Sequence, residues 1–196
     1  MRLGPLILAS GSPQRRAILE QVGISFDVRV SGVEEETHGD PVAVAEENAR
    51  RKALAVHSPM TLGADTLVAV DGDILGKPRD AGQAREYVAR LAGRTHDVVG
   101  AIAIAQDGAL AHVATEITKV HFRDASPALL DWYVRTGEWE GRAGGYAIQG
   151  AGAVLVAGIE GDYLNVVGLP LARLLDLLPE LLPAGIRRSG GIAQGP

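Results

Sequence analysis

The 196-residue chain has no cysteine. Disulfides, thiolate nucleophiles and cysteine-ligated zinc are thereby excluded. Their absence matches a reducing compartment, and a cytoplasmic location is expected. No charge-free apolar stretch approaches the roughly 18 residues that a membrane-spanning helix needs. The opening run Leu6 to Ala9 is too short for the apolar centre of a secretory signal. Positive charge is also short. Lys plus Arg total 19 against 24 Asp plus Glu, a formal charge of -5, whereas a nucleic-acid surface calls for a basic excess. Two Phe, two Trp and four Tyr are too few for base-stacking platforms, so the core must be aliphatic.

Several motifs are missing as well. The nearest match to a phosphate-binding P-loop, Gly72 to Pro78, is one residue short and has Pro where Ser or Thr belongs. No G-x-G-x-x-G follows a strand, and no G-x-S-x-G offers a hydrolase nucleophile. The five histidines (38, 57, 96, 112, 121) lack metal-ligand spacing and read as surface or hairpin residues.

What is present is a soluble globular composition, 46% hydrophobic and 22% charged, with 25 glycines. Leu6 to Ala9 reads as a buried strand. Ser12-Pro13 opens a helix that runs to about Val22, closed by Gly23. Ile24 to Val30 is a second strand. Asp40-Pro41 opens a helix to about Val56. Apolar runs at Thr61 to Ala64 and Leu67 to Val70 end at an Asp71-Gly72 hairpin turn. Asp80 and Gln83 form a capping-box pattern before the next helix. Val98 to Ala105 is a central strand, turned back at Asp107-Gly108 into Leu110 to Phe122, and Ser126-Pro127 caps another helix. Val154 to Ala157 and Leu164 to Val167 read as paired strands, and a final helix starts at Pro170. Strands alternating with helices, plus hairpins, predict an α/β domain with a mixed sheet over residues 1–182. Residues 183–196, rich in Gly, Pro and Ser, are expected to form a mobile tail.

Three charges fall where the periodicity calls for core. Ile18, Leu19 and Val22 define the inward face of the first helix, and Arg15 lies on it. An inward Arg needs an anionic partner, and the helix N-terminus beside Ser10 and Ser12 already favours anions. A phosphate cradle fits; so does a capped helix whose Arg15 reaches past it to water. In the second helix, Lys52 lies on the small face of Ala45, Ala49 and Ala53, as a phosphate ligand or a snorkelling side chain. Glu46 with Arg50 and Glu47 with Arg51 read as solvated i, i+4 pairs. Asp65 interrupts an apolar strand, and a buried carboxylate is paired, protonated or metal-bound. Lys77 sits in the stiff turn Gly76-Lys77-Pro78. Glu35 lies in an acidic loop run. Gln149 could read a base edge or cap a turn. Two carboxylates, three cations and a helix N-terminus describe a nucleotide-phosphate hydrolase.

The segments Leu8-Ala9-Ser10-Gly11-Ser12-Pro13, Val33-Glu34-Glu35, Ala49 to Ala53, Gly63-Ala64-Asp65-Thr66, Gly76-Lys77-Pro78, Gly145 to Gly150 and Gly161-Asp162-Tyr163 to Pro170 occur in order. From Leu6 to about Leu178 the chain thus resembles the Maf family of septum-formation-associated nucleoside triphosphate pyrophosphatases. That resemblance implies a mixed α/β fold similar to inosine triphosphate pyrophosphatases, with two lobes around a deep cleft. It implies cleavage between the α- and β-phosphates, a divalent cation (Mg²⁺ or Mn²⁺) and a homodimer. By position, Asp65 matches the proton acceptor for the attacking water. Glu35 matches a metal ligand or alternative base; Asp65 and Glu35 together are the expected metal ligands. Arg15, Lys52 and Lys77 match phosphate-binding cations, and Ser10 and Ser12 the phosphate loop. Gln14, Thr66 and Gln149 match the specificity positions. Thr66 and Gln149 agree with the dTTP/UTP branch, whereas Gln14 replaces its usual second Arg. A 7-methyl-GTP pyrophosphatase and a non-catalytic nucleotide-binding regulator of division are the alternatives.

Overall fold

The computed structural model describes residues 5–182, so the expected tail 183–196 lies outside the described residues. Thirteen strands and α-helices follow one another among the described residues, with three short 3-10 helices besides: β1 (Leu6–Leu8), α1 (Pro13–Gln21), β2 (Phe26–Val28), α2 (Pro41–Leu54), β3 (Met60–Val70), β4 (Asp73–Leu75), α3 (Ala81–Leu91), β5 (Thr95–Gln106), β6 (Ala109–Phe122), α4 (Pro127–Arg135), β7 (Val156–Glu160), α5 (Tyr163–Val167) and α6 (Leu171–Leu177). Three of the expected capping residues act as their types dictate, and Ser12 does not. Asp40 accepts from the Val42 and Ala43 N–H groups, Asp80 from Gln83 and Ser126 from Leu129.

The sheet is mixed, as expected. Its order is β2-β1-β3-β5-β6-β7, with β4 also on β3. β1 runs parallel to β2 and β3; the other pairs are antiparallel. The two apolar runs flanking Asp65 form one long strand, β3. From Met60 to Ala69 it pairs with β5 on one edge. On the other edge β1 covers Met60 to Leu62, and β4 covers Val68 to Val70. The stretch between, Gly63 to Leu67, has no strand neighbour there among the described residues, and this gap positions the site.

Apolar packing divides around the gap. Leu6, Leu8, Leu19, Met60 and Leu62 join Leu171 and Leu174 in one cluster, while Val68, Val70, Val88, Leu91 and Tyr133 build another. Helix α2 lies across the strands, its Ala45, Ala49 and Ala53 against Ala101 and Ala103. Gly63 makes this approach possible, because a Cβ there would stand 2.5 Å from Ala53 N and 2.9 Å from Ala53 Cβ. Alternation along β3 then turns Asp65 towards α2 and Thr66 to the opposite face.

Several expectations are corrected. Leu164 to Val167 is not a strand: Tyr163–Val167 is a short helix. Asp162 Oδ1 accepts from Leu164 N–H at 2.7 Å and starts it. Buried Asn165 donates to Val98 O, Glu116 O and Thr118 Oγ1, docking it on the sheet. The second strand shrinks from Ile24–Val30 to Phe26–Val28. Arg51 pairs with Glu36 at 3.3 Å rather than with Glu47, which instead lies 4.0 Å from Arg50. His96 is buried rather than at the surface; its Nε2 meets Tyr146 Oη at 2.8 Å, and Phe122 and Tyr146 pack edge-on to its ring.

Candidate active site

A cavity of about 420 Å³ opens at the gap in β3, and all ten residues singled out from the sequence line it. Ser10, Ser12, Gln14 and Arg15 come from the β1–α1 junction, Glu35 from the following long loop, and Lys52 from α2. Asp65 and Thr66 come from β3, Lys77 from the turn after β4, and Gln149 from the Gly-rich segment.

Asp65 is 4% exposed. Its Oδ1 accepts from Lys52 Nζ at 2.7 Å and its Oδ2 from Asn48 Nδ2 at 3.0 Å. Lys52 is equally buried and also contacts Glu35 Oε1 at 2.7 Å and Ala64 O at 3.3 Å. One ammonium therefore joins two carboxylates from separate elements. The exposed Lys77 approaches Glu35 Oε2 at 3.2 Å. Partial burial opposes the charge on Glu35, but Lys52 and Lys77 outweigh it and hold the carboxyl down at about 2.

Arg15 is buried, yet no carboxylate of a described residue lies within 4.0 Å of it. Its guanidinium donates to neutral oxygens: Gly168 O (2.9 Å), Ser10 Oγ (2.9 Å) and Thr66 Oγ1 (3.1 Å). Burial lowers its pKa from the ordinary arginine value, against the more distant charges of Asp65 and Glu35. The direct anionic partner that its inward position calls for is absent among the described residues. Ser12 occupies the N-cap position of α1, but its hydroxyl donates to Gln14 Oε1 at 3.1 Å and no side chain caps the first turn. A buried cation and an uncapped helix N-terminus thus face the cavity together, a combination suited to a phosphate.

Two cavity or near-cavity residues escape the sequence reading. Arg142 lines the cavity, and its buried Nε has no hydrogen-bond partner. The Gly-rich segment carrying it has no periodicity against which a charge stands out. Asn48, which holds Asp65, is fully buried on the inward face of α2, three residues after Ala45. The test that found Lys52, a polar residue on an apolar face, would have found it too.

A family model described as Maf-like protein matches residues 5–181. The chain belongs to the Maf-like family. Relatives of this Maf-like protein include a Symbiobacterium thermophilum protein named dTTP/UTP pyrophosphatase, 48% identical over 89% of this chain and 93% of the relative. Proteins of the same name from Anaeromyxobacter sp. and Pyrococcus furiosus are 43% and 46% identical, covering 97% and 88% of this chain and 96% and 93% of their own. Among solved structures, a HAM1 protein from Coxiella burnetii is similar at a TM-score of 0.48 and 15% identity, over 90% of this chain and 98% of that one.

Proposed function

We propose that this Maf-like protein hydrolyses nucleoside triphosphates, dTTP and UTP first among them, to the monophosphate and pyrophosphate. The observation that carries the reading is the charge inventory of one cavity. Four cations (Arg15, Lys52, Lys77, Arg142) and two carboxylates (Glu35, Asp65) line it, a net charge of +2. A nucleoside triphosphate carries about four negative charges near neutral pH. Substrate and cavity together are then short by the charge of one divalent cation.

The donor chemistry fits that ion. Hard divalent cations take carboxylate oxygens, and Mg²⁺ commonly uses one or two carboxylates plus substrate phosphates. Among the described residues no group of three or more His, Asp or Glu is placed to hold a metal ion by itself; Glu35 and Asp65 are the carboxylates that line the cavity, and they would hold Mg²⁺ or Mn²⁺ together with substrate phosphates. When bound, the ion neutralises charge on the phosphates.

The chain's own groups do the rest. Ser10, Ser12, Arg15 and the start of α1 seat phosphate oxygens. Lys52 and Lys77 offset charge as the pyrophosphate leaves. Asp65 orients the attacking water and takes its proton. Glu35, paired with both Lys52 and Lys77, is held ionised with its carboxyl at about 2, and the role of Asp65 as the base rests on the family resemblance. Thr66 and Gln149 carry the pyrimidine preference, and Gln14 supplies an amide where the dTTP/UTP branch has a cation. A homodimer, a cytoplasmic setting and a role in clearing unwanted nucleotides belong to the same reading and rest on the family resemblance.

The test is product analysis with Mg²⁺ over dTTP, UTP, CTP, dGTP and 7-methyl-GTP, with Asp65→Asn in parallel. Pyrophosphate and monophosphate from dTTP and UTP, lost in Asp65→Asn, are expected. Release from 7-methyl-GTP alone overturns the branch. Binding without release from any nucleotide replaces the enzyme with a nucleotide-responsive regulator.

A further inference from the structure

Asn48 stands one helical turn before Lys52 in α2 and is fully buried. Every hydrogen-bonding direction of its amide that the structure uses points at a part of the site. Its Oδ1 accepts from Glu36 N–H at 2.8 Å, and its Nδ2 donates to Glu36 O at 2.9 Å and to Asp65 Oδ2 at 3.0 Å. The first two bonds grip the backbone of the residue next to Glu35. The third grips the second oxygen of Asp65, whose first oxygen is on Lys52.

A carboxylate bonded through one oxygen can swivel about that bond; bonded through both, to groups on one rigid helix, it cannot. Lys52 alone does not supply this rigidity, because its ammonium ends a flexible four-carbon stem shared with Glu35. The amide of Asn48 is planar and sits on a short side chain, with both N–H groups engaged. It sets the Glu35 loop and the Asp65 strand in register across the gap in β3.

We infer that Asn48 is a positioning residue for the hydrolytic step, fixing the plane of the Asp65 carboxylate and, through Glu36, the placement of Glu35. This inference deepens the proposed function and rests on it. Its bland rival is that Asn48 merely anchors the loop, with the Asp65 bond incidental.

Two variants separate these. Asn48→Asp keeps the shape and the acceptor for Glu36 N–H but replaces the nitrogen that donates to Asp65 Oδ2 and to Glu36 O with a carboxylate oxygen, so that one of the two loop bonds remains. Asn48→Leu removes every bond while filling the space. The assays, on the full chain, are steady-state pyrophosphate release from dTTP at saturating Mg²⁺, the melting temperature and hydrogen exchange at the Glu36 amide. A residue that orients a reacting group should cost about 10- to 100-fold in kcat when lost, with KM changed less than about threefold because the phosphate-seating groups remain. That loss is expected in both variants. The Glu36 amide should stay protected in Asn48→Asp and lose protection in Asn48→Leu. If Asn48→Leu does not fold, Asn48→Asp alone decides.

A folded Asn48→Asp with kcat within about threefold of the parent overturns the inference and leaves Asn48 a loop anchor. A rise in KM without a fall in kcat overturns it too. Failure of the underlying reading looks different: the unaltered protein releases no pyrophosphate, or Asp65→Asn keeps its rate, and the positioning role falls with it.

Discussion

Lys52 offers the sharpest test of the site's electrostatics. Its ammonium is 2.7 Å from Asp65 and 2.7 Å from Glu35, and its side chain is 6% exposed. Lys52→Met keeps most of the aliphatic stem and deletes the charge. Two carboxylates are then left facing each other beside a partly enclosed cavity. Removing one partner of a buried ion pair costs about 3–5 kcal/mol. Glu35 keeps Lys77 and a 35% exposed side chain, so the lower end, about 3 kcal/mol, applies. At about 2–4 °C per kcal/mol for a domain of this size, the melting temperature should fall by roughly 6–12 °C near pH 7.5. The gap should narrow as the pH falls through the ordinary carboxylate range, because one proton shared by the two carboxylates discharges the repulsion. Turnover should fall by about 10²–10³, the usual cost of losing a group aimed at developing charge. Scanning calorimetry without added metal and pyrophosphate release with Mg²⁺ read the two effects separately. An unchanged melting temperature at pH 7.5 refutes the three-centre ion pair as a stabilising element. Pyrophosphate release within about tenfold of the parent refutes Lys52 as a stabiliser of leaving-group charge.

Two further predictions concern pH. The Glu35 carboxyl is depressed from 4.5 to about 2, so its contribution to stability is present above about pH 4.5 and is lost as the pH falls towards 2. Urea unfolding at pH 5 and pH 3 should show a smaller drop for Glu35→Gln than for the parent, and equal drops would remove Glu35 from the acid response. Burial holds His96 down at about 4, from 6.5, with the more distant His121 adding to the shift. Folding therefore favours its neutral form: the stability is complete above about pH 6.5 and declines as the pH falls through 4, by about 3 kcal/mol in all. His96→Phe should flatten the stability curve between pH 6.5 and 4, and an unaltered slope there would mean that His96 is not the sensor.

How far the site could be read from the sequence depends on what kind of signal each residue leaves. Arg15, Lys52 and Asp65 were legible because each breaks an apolar period, and a charge on an inward face must be answered by something. The structure supplies part of the answer: Lys52 and Asp65 answer each other, while Arg15 has only neutral oxygens and so stands ready for an anion. Glu35 was not separable on pattern from Glu34 and Glu36. The family resemblance picks out Glu35, and the folded distances give the physical difference, Glu35 turning to Lys52 and Lys77 and Glu36 to Arg51. Arg142 belongs to a segment with no period to break. Leu164 to Val167 departs from the expected strand because so short an apolar run fits a buried strand or a helix equally; the Asp162 cap and the three hydrogen bonds of Asn165 decide it.

The cavity itself has a cause that no local pattern encodes. It exists because β1 and β4 each cover one end of the same edge of β3 and leave Gly63 to Leu67 open. Each pairing is legible on its own as an apolar run or a hairpin turn, but which edge each strand takes is a long-range choice. A strand that covered this gap would bond the backbone beside Asp65 and Thr66 and close the space where a nucleotide would lie. It would also take the place of the junction that brings Arg15 to Thr66 at 3.1 Å. The interruption in the sheet is thus a condition for the site. It explains why charges from α1, α2, β3 and three loops, far apart in the chain, converge on the one stretch of β3 that has no strand neighbour on that edge among the described residues.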